Sequence, residues 1–367
     1  MKKLALIVIS IDECFAKSGF SGGGHKVTKY LIENLIKSGK FEIDIYCEKS
    51  SLHNIEGINA IYPIGKKALR ALKKEDLKDY NYILSSDVLL PFGNQILHSN
   101  SAKFKTKNGK NPILSLLSLI YSNSKIKYQK DRIAKCKGNF FTVSNSLKED
   151  FATSYNINKD RIFVCYPSID FIKEKNENTK KDTMTIGSIA GGGLNKGGFL
   201  LLFAIKKFAS KNNISKDNFR AKLIFPKIEK SGLFKKVIKV LGLSDFIELL
   251  PRQADMNAFY NSIDYYVLPS LNEAFGLVVA EAGANFKPSL VSNSTGVAEL
   301  INNENGILME RTIHGIACAL KDAYKIYTNN FESYQTLANK AHELPEITNW
   351  EKFTSNIIEN LKEENCD

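Results

Sequence analysis

Short apolar runs alternate with helical patterns in both halves of the sequence. Leu4–Ser10 forms a continuous apolar run, as expected of a parallel strand that is buried on both faces. Apolar residues then recur with a helical period over Lys26–Ser38, and Phe41–Cys47 is a second candidate strand. The same alternation resumes at Met184–Ile189 and Gly198–Ser210. This pattern predicts an α/β protein with doubly wound parallel sheets, which bind ligands at the carboxyl ends of their strands.

The same reasoning predicts elements along most of the chain. The predicted strands are Leu4–Ser10, Phe41–Cys47, Tyr80–Ser85, Gln95–Leu97, Phe140–Val143, Arg161–Cys165, Met184–Ile189, Ala221–Phe225, Phe246–Leu249, Tyr265–Leu268 and Ser289–Ser292. The predicted helices are Lys26–Ser38, Leu147–Tyr155, Gly198–Ser210, Leu233–Leu241, Met256–Ser262, Gly276–Ala284, a short one at Val297–Asn302 and a last one at Trp350–Leu361.

The length of 367 residues suits two domains of ordinary size. Between the two alternating halves, residues 171–183 are polar and lack apolar periodicity, as in an interdomain linker. We therefore predict a first domain over residues 1–170, a second domain over residues 184–345 and a C-terminal helix within residues 346–367. The six cysteines are scattered and form no Cys-x-x-Cys pair, which favours a reducing cytosol and argues against a thiolate zinc site.

The net charge of +12 is concentrated in one half of the chain. The whole basic excess lies in residues 1–168, and residues 103–137 hold ten basic residues and one acid around the apolar run Pro112–Tyr121. Basic residues that flank an apolar helix can hold it on an anionic membrane surface, although a core helix with solvated flanks explains the same pattern. No apolar run reaches 18 residues, so no membrane-spanning helix is predicted. No helix-turn-helix, zinc-finger or RNP signature occurs, and no nucleic-acid partner is predicted.

A buried strand, a turn and a helix follow one another over residues 265–282. Glu273 lies in the turn, and the backbone amides of Ala274–Leu277 are expected to be free where the helix begins, which is a favourable place for an anion. Glu281 lies about two turns further along. Two carboxylates on either side of an anion site can hold hydroxyl groups at both ends of a diphosphate-linked sugar nucleotide, whereas each glutamate alone would fit an ordinary helix surface.

This stretch resembles the signature of the family-4 retaining glycosyltransferases, in which two glutamates separated by seven residues follow a Pro-Ser pair, here Pro269-Ser270. The resemblance covers nearly the whole chain in the same order and is stronger in the second half. It implies the GT-B fold, with two facing Rossmann-like domains, an interdomain cleft and a C-terminal helix that packs back on the first domain. The other matching blocks are Thr142–Ser146, Arg161–Asp170, Gly187, Lys196-Gly197, Lys287-Pro288, Gly296–Glu299, Asn305–Leu308 and Trp350.

The resemblance also implies roles for the matching residues. Glu281 would bind the ribose hydroxyls of the nucleotide, and Glu273 would contact the hydroxyls of the transferred sugar. Lys196 would neutralise the departing diphosphate, because charge that develops on a leaving group is stabilised by cations and amides already in place. The sugar and the diphosphate would be bound by the backbones of Ala274, Phe275, Gly276 and Leu277.

One position departs from the family pattern. The family usually places an arginine directly after the glycine that corresponds to Gly187, and here that position is Ser188. One cationic ligand of the phosphates is therefore missing or is supplied by another residue. Phe286 is a milder departure, because the family often has a glycine there. The candidate replacements for the arginine are Arg252, Lys227 and Lys222, of which Arg252 is also a candidate contact for the base.

The first half contributes two further candidates. Gly22, Gly23 and Gly24 follow the first strand, and glycines there let the backbone approach a ligand closely. By the resemblance, this loop would lie against the donor diphosphate and the acceptor, although a flexible connection is the alternative. His98 follows a strand, where the family often has an active-site histidine. We expect it near the reacting sugar, while a purely structural histidine would fit the same sequence.

These features predict a cytoplasmic retaining glycosyltransferase that is peripheral at the inner face of the membrane. It would move a sugar from a UDP- or GDP-type donor to a hydroxyl of a glycan or lipid-linked acceptor. No Asp-x-Asp motif occurs, so no metal or other cofactor is expected, and no protein nucleophile is evident. Two alternatives remain open. One is an inactive homologue that serves as a partner subunit, which the serine at position 188 motivates, and the other is a membrane-binding module.

Overall fold

The chain forms two compact units. The first consists of Met1–Pro167 together with Asn349–Asp367, and the second consists of Ser168–Thr348. Most of the predicted linker 171–183 and of the basic region 103–137 lies outside the residues that the structure describes. The structure is a computed structural model, and it describes residues 1–12, 14–15, 23–86, 90–99, 126–169, 179–191 and 194–364.

A parallel sheet of seven strands forms the described part of the first unit. The strands are β1 (Lys2–Ile7), β2 (Phe41–Cys47), β3 (Ala60–Pro63), β4 (Tyr82–Ser86), β5 (Asn94–Leu97), β6 (Phe140–Thr142) and β7 (Ile162–Val164). The helices are α1 (Gly23–Ser38), α2 (Lys66–Ala71), α3 (residues 126–135), α4 (Asn145–Tyr155) and the C-terminal α12 (Trp350–Glu359). The strand order is β3-β2-β1-β4-β5-β6-β7. The winding direction therefore reverses between β1 and β4, and such a switch point is where doubly wound sheets bind ligands.

The C-terminal helix α12 packs on α1 within the first unit. Tyr30 of α1 stacks on Trp350 of α12, with ring centroids 4.5 Å apart and ring planes inclined by 15°. After α12, the chain is held at the amino-terminal end of the sheet, because Asn94 Nδ2 donates to the carbonyl oxygen of Lys362 at 2.9 Å. A neighbouring face of α1 carries Val27, Leu31 and Leu35, which are buried.

The second unit has a parallel sheet of six strands in the same order of winding. The strands are β8 (Met184–Ile189), β9 (Phe219–Ile224), β10 (Ile247–Leu250), β11 (Tyr265–Leu268), β12 (Ser289–Ser292) and β13 (Gly306–Met309). The helices are α5 (Gly198–Lys211), α6 (Gly232–Val240), α7 (Met256–Asn261), α8 (Leu277–Ala284), α9 (Ile313–Asn329), α10 (Phe331–His342) and α11 (Leu344–Ile347). The strand order β10-β9-β8-β11-β12-β13 puts the switch point between β8 and β11.

The core of the second unit lies between this sheet and the helices α5 and α9. Leu201 and Ile205 of α5 are buried, and Phe208 of the same helix meets Phe219 of β9 edge-on at 5.1 Å. Leu320 of α9 belongs to the same cluster. Because a fully buried aliphatic or aromatic side chain contributes about 1.5–3 kcal/mol relative to exposure, this cluster fixes the sheet on which the loops described below are mounted.

The predicted fold class is confirmed, since both units are doubly wound parallel α/β structures. Phe41–Cys47, Met184–Ile189, Tyr265–Leu268 and Ser289–Ser292 have the predicted bounds. The short helix predicted at Val297–Asn302 is instead a 3₁₀ helix at Gly296–Leu300. Gly296 and Val297, at its beginning, donate to the carbonyl oxygens of the neighbouring loop. Two strands, β3 and β13, and five helices, α2, α3, α9, α10 and α11, were not predicted from the sequence.

Among the described residues, no helix is both long and apolar enough to cross a bilayer. The same residues contain no group of three or more histidine, cysteine, aspartate or glutamate side chains arranged to hold a metal ion. Five of the six cysteines lie in the described part, and none of them is in a disulfide.

Candidate functional site

Lys196 and Glu273 form an ion pair at the switch point of the second sheet. Lys196 closes the 3₁₀ turn Leu194–Lys196 after β8, and Glu273 lies in the loop after β11. Lys196 Nζ contacts Glu273 Oε1, and the buried Ser270 Oγ donates to the same oxygen at 3.2 Å. The side chain of Lys196 is 40% exposed and that of Glu273 is 20% exposed, so a ligand can reach the cation.

Gly197 allows the two loops to approach each other. Its φ is +72°, and a Cβ there would lie 2.1 Å from the carbonyl oxygen of Pro269. A side chain would therefore push the β8 loop away from the β11 loop. The backbone amide of Leu271 also donates to the carbonyl oxygen of Asn195 at 2.7 Å. These two contacts place Lys196 beside Glu273.

The loop after β11 is also tied to the next loop of the sheet. The amide of Gly296 donates to the carbonyl oxygen of Glu273 at 3.0 Å, and the amide of Val297 donates to that of Phe275 at 2.9 Å. With the carbonyl groups held in this way, the segment Ala274–Leu277 leads directly into α8. These two hydrogen bonds therefore fix the backbone of this segment relative to the loop after β12.

Gly276 is the N-cap residue of α8 and has φ +118°. A Cβ there would lie 3.1 Å from Leu268 Cδ2 and 3.1 Å from Val297 Cγ1, so both the backbone conformation and the space favour glycine. Glycine provides no side-chain oxygen to cap the helix. The amides of the first turn, beginning at Leu277, are consequently suited to an anionic ligand.

Glu281 lies in the second turn of α8 and is half-buried. The hydroxyl of Tyr260, which is fully buried on α7, donates to Glu281 Oε2 at 2.9 Å. Burial raises the pKa of Tyr260 well above its ordinary value, and the Glu281 carboxylate adds to this effect. The phenol therefore stays protonated and acts as a donor. Tyr260 was not among the predicted site residues. The sequence shows only that a tyrosine lies in the predicted helix before β11.

Ser188 is the last residue but one of β8, directly before the switch-point loop, and it is fully buried. Within the described part of the chain, its Oγ has no hydrogen-bond partner. Lys222 lies on β9 opposite Gly187 in register, and its Nζ is 4.0 Å from a carboxylate oxygen of Glu248 on β10. Arg252 follows the edge strand β10, two strands away from β8. Lys227 is exposed in the loop after β9.

A second cluster lies at the switch point of the first sheet. His98 follows β5, and its Nε2 is 3.3 Å from Oγ of Ser86 at the end of β4. A Cβ on Gly24 would lie 3.1 Å from His98 Cε1, so the imidazole rests against the first turn of α1. The structure thus brings His98 and Gly24 together. Gly23 is the first residue of α1, and Gly22 lies outside the described residues.

Comparison with known proteins identifies relatives of the sequence. Residues 169–343 match the family described as glycosyl transferases group 1. An uncharacterized glycosyltransferase of Haemophilus influenzae is 24% identical, over 99% of this chain and 99% of its own. The O-antigen chain mannosyltransferase RfbU of Salmonella typhimurium is 23% identical, over 61% of this chain and 64% of its own.

Two solved structures share the fold. WaaG, a glycosyltransferase involved in lipopolysaccharide biosynthesis, has a TM-score of 0.72 and 13% identity, over 97% of this chain and 99% of its own. Anabaena HepE in complex with UDP-glucose has a TM-score of 0.71 and 15% identity, over 98% of this chain and 99% of its own. The chain is therefore a glycosyltransferase with the GT-B fold, and its residues 169–343 match the family described as glycosyl transferases group 1.

Proposed function

We propose that the protein is a retaining, family-4-type glycosyltransferase that uses a nucleoside-diphosphate sugar of the UDP or GDP type. The second unit binds the donor, and the first unit binds the acceptor. The observation that carries this proposal is the Lys196–Glu273 ion pair at a switch point, directly before a helix whose N-terminus has no side-chain cap. This combination provides a cation, a carboxylate and the amides of a helix N-terminus for one phosphorylated ligand.

The diphosphate binds at the beginning of α8. The amides of Ala274–Leu277 and the ammonium group of Lys196 surround its oxygens, and the helix dipole adds a favourable field. The hydroxyl of Ser188, which is fully buried and has no partner among the described residues, turns to the ligand in place of the family's arginine. Arg252 follows the carboxyl end of β10, two strands from β8, and we place the base of the nucleotide on that side.

Donor binding exchanges the partner of Lys196. In the free protein the carboxylate of Glu273 neutralises the lysine. A diphosphate carries more negative charge than one carboxylate, so it competes successfully for the ammonium group. Glu273 is then free to accept hydrogen bonds from the sugar hydroxyls, while Ser270 keeps its Oε1 in place. Glu281, held by Tyr260, accepts hydrogen bonds from the ribose hydroxyls.

The transfer proceeds on one face of the sugar. The bond between the anomeric carbon and the β-phosphate oxygen breaks, and the acceptor oxygen forms its bond to the same carbon from the same side. The acceptor proton passes to the departing β-phosphate, so neither a protein base nor a protein nucleophile takes part. Lys196 and the amides of Ala274–Leu277 stabilise the charge that develops on the diphosphate. The anomeric configuration is retained.

The first unit supplies His98 and the glycines at the beginning of α1. Gly23 and Gly24 leave room for the acceptor and the donor phosphates at the switch point of the first sheet, and Gly22 continues this loop. His98 donates a hydrogen bond to the reacting sugar, since its ring is oriented by Ser86 and by the backbone at Gly24. These contacts favour the geometry in which acceptor and donor react.

The acceptor is a cell-surface glycan or glycolipid. RfbU is named as an O-antigen chain mannosyltransferase, and WaaG is described as involved in lipopolysaccharide biosynthesis, which supports this class. The protein acts at the cytoplasmic face of the membrane, where the basic residues of 103–137 meet anionic lipid. No metal or cofactor takes part beyond the nucleotide sugar.

A panel of nucleotides tests the proposal through thermal unfolding of the whole chain. UDP, GDP, ADP, CDP and their sugars are added separately, and a ligand at 100 times its Kd adds about 2.7 kcal/mol of stability. We expect a response to UDP or GDP compounds that disappears in Lys196→Ala and Glu281→Ala. Lys325→Ala and Glu332→Ala are the matched controls, because both residues are exposed on the same unit. These two variants should still be stabilised by the nucleotide.

Two outcomes contradict the proposal. If no nucleotide changes the unfolding temperature, the donor site is wrong, and the partner-subunit alternative gains support. If transfer occurs but NMR of the first-formed product shows the opposite anomer, the retaining mechanism is wrong.

A further inference from the structure

The surface of α6 that faces solvent is strongly basic. The helix buries Phe234 and Ile238 in the core of the second unit. Its outward positions carry Lys235, Lys236 and Lys239, all of which are exposed. The helix thus has one apolar face, which packs on Phe199 of α5 and on Phe225 after β9, and one face of lysines, without an acidic residue within Gly232–Val240.

Three large apolar side chains are exposed beside these lysines. Leu233 is 67% exposed and Val240 is 85% exposed, at opposite ends of α6. They lie seven residues apart, two helical turns, and therefore on one line along the helix. Phe203 of α5 is 42% exposed. Single exposed apolar side chains are normal on a protein surface, whereas several in one region mark an interaction site.

Contacts between the two helices show that these side chains belong to one surface. Phe199 of α5 meets Phe234 of α6 edge-on at 5.1 Å, and Phe203 follows Phe199 by one turn on the same side. At the other end of α6, Lys206 Nζ lies 3.9 Å from the position that a Cβ on Gly242 would occupy. We call this region, with Phe203, Lys206, Leu233, Lys236, Lys239 and Val240, the α5–α6 surface.

The charge around this surface is not representative of its unit. Residues 169–367 contain equal numbers of basic and acidic residues. The segment 227–240 nevertheless contains five lysines and one acid, Glu229. Lys227 and Lys230 extend the lysine face of α6 beyond its beginning. Positive charge is thus collected where the apolar side chains are exposed.

We propose that the α5–α6 surface docks on an anionic phospholipid bilayer. Aliphatic and phenylalanine side chains enter the interface, while the surrounding lysines lie along it and pair with lipid phosphates, as in amphipathic helices that lie in the membrane plane. This site lies on the second unit and is separate from the basic region 103–137 of the first. It does not depend on the donor or the mechanism proposed above. Single-stranded RNA fits less well, since only one of the exposed apolar side chains is aromatic and can stack on a base.

Co-sedimentation of the whole chain with vesicles tests the role of the lysines. The vesicles contain phosphatidylglycerol and phosphatidylcholine in equal parts, or phosphatidylcholine alone. Each lysine near an anionic surface contributes about a fivefold increase in binding, so Lys236→Glu with Lys239→Glu lowers binding to the anionic vesicles by about 25-fold or more. The matched control is Lys321→Glu with Lys325→Glu, two exposed lysines of α9 with the same change of charge. A comparable loss in both double variants overturns the proposal.

A site-specific probe separates this surface from the basic region of the first unit. In Leu233→Trp the new indole is mostly exposed, whereas Trp350 is buried against Tyr30. We expect a blue shift of the emission when anionic vesicles are added and quenching by brominated lipid. Vesicle-bound protein without a blue shift overturns the proposal, as does binding to RNA without binding to vesicles.

Discussion

The hydroxyl of Tyr260 donates to Glu281 Oε2 at 2.9 Å from a fully buried position. It orients the carboxylate that is proposed to bind the ribose. A hydrogen bond to a charged group contributes about 1.5–3 kcal/mol, so Tyr260→Phe should raise the Kd for the donor nucleotide about 10- to 100-fold. We expect kcat at saturating donor to be nearly unchanged, because Tyr260 acts through Glu281. Titration calorimetry and initial rates provide the measurements.

Tyr265 provides the control for this substitution. It is also buried in the second unit, and its hydroxyl has no hydrogen-bond partner among the described residues. Tyr265→Phe should leave nucleotide binding unchanged. Equal effects of the two substitutions would show that Tyr260 has no specific role.

Ser188→Ala should separate stability from donor binding. The buried hydroxyl has no partner in the described part of the free protein, so removing it should raise the unfolding free energy by up to about 1 kcal/mol. If the hydroxyl binds the diphosphate as proposed, the stabilisation produced by a nucleotide should decrease at the same time. Denaturant unfolding with and without nucleotide measures both quantities. An unchanged response to nucleotide would exclude Ser188 from the site.

Gly24→Ala should lower kcat without lowering stability. The new methyl group would lie 3.1 Å from His98 Cε1 and displace the imidazole by a few tenths of an ångström. Alanine in place of glycine in the first turn of a helix stabilises the protein by about 0.4–1 kcal/mol. We expect kcat to fall about tenfold, because even a small displacement of a group that contacts the reacting sugar slows the reaction. Gly232→Ala is the control, since a Cβ there meets no atom within 4 Å.

Phe286 adopts a left-handed conformation with φ +58° and stacks on His342, with ring centroids 3.7 Å apart. Phe286→Gly should relieve about 1 kcal/mol of backbone strain but lose the packing of a buried ring, which contributes about 3–5 kcal/mol. A net loss of about 2–4 kcal/mol in unfolding free energy is expected from denaturant titration. Asn213→Gly, at an exposed position with φ +52°, should be neutral or slightly stabilising. Stabilisation by Phe286→Gly would contradict this account.

Lys287 should make stability depend on alkaline pH. Burial lowers the pKa of this lysine to about 8, although the nearby Asp264 opposes the shift. The unfolded chain therefore holds this proton more tightly, and stability rises as the pH increases from about 8 to 10.5. Lys287→Met removes this dependence. Its stability advantage over the natural protein should shrink by about 3 kcal/mol between pH 7 and pH 10.5. If the stability difference between Lys287→Met and the natural protein is constant over this range, burial does not lower the pKa of Lys287.

Much of the fold could be predicted because strands buried on both faces are nearly continuous apolar runs. Tyr265–Leu268 is such a run, and its predicted bounds agree with the structure. The 3₁₀ geometry of Gly296–Leu300 and its hydrogen bonds to Glu273 and Phe275 on another loop could not be predicted from the local sequence. Contacts between distant segments of this kind leave no local periodicity.

The sequence by itself determined the alternation of strands and helices, the positions of Lys196 and Glu273 after strands and of Glu281 in the next helix, and the charge asymmetry. These properties depend on local spacing and composition. Only the tertiary structure decided that Lys196 pairs with Glu273, that Tyr260 holds Glu281 and that His98 rests on Gly24. Each of these pairs joins residues that are far apart in the chain. Lys196 meets Glu273, and His98 meets Gly24, because parallel strands bring the segments that follow them to the same end of a sheet. Tyr260 meets Glu281 between the two helices that come before and after β11. Both arrangements depend on the packing of the whole unit.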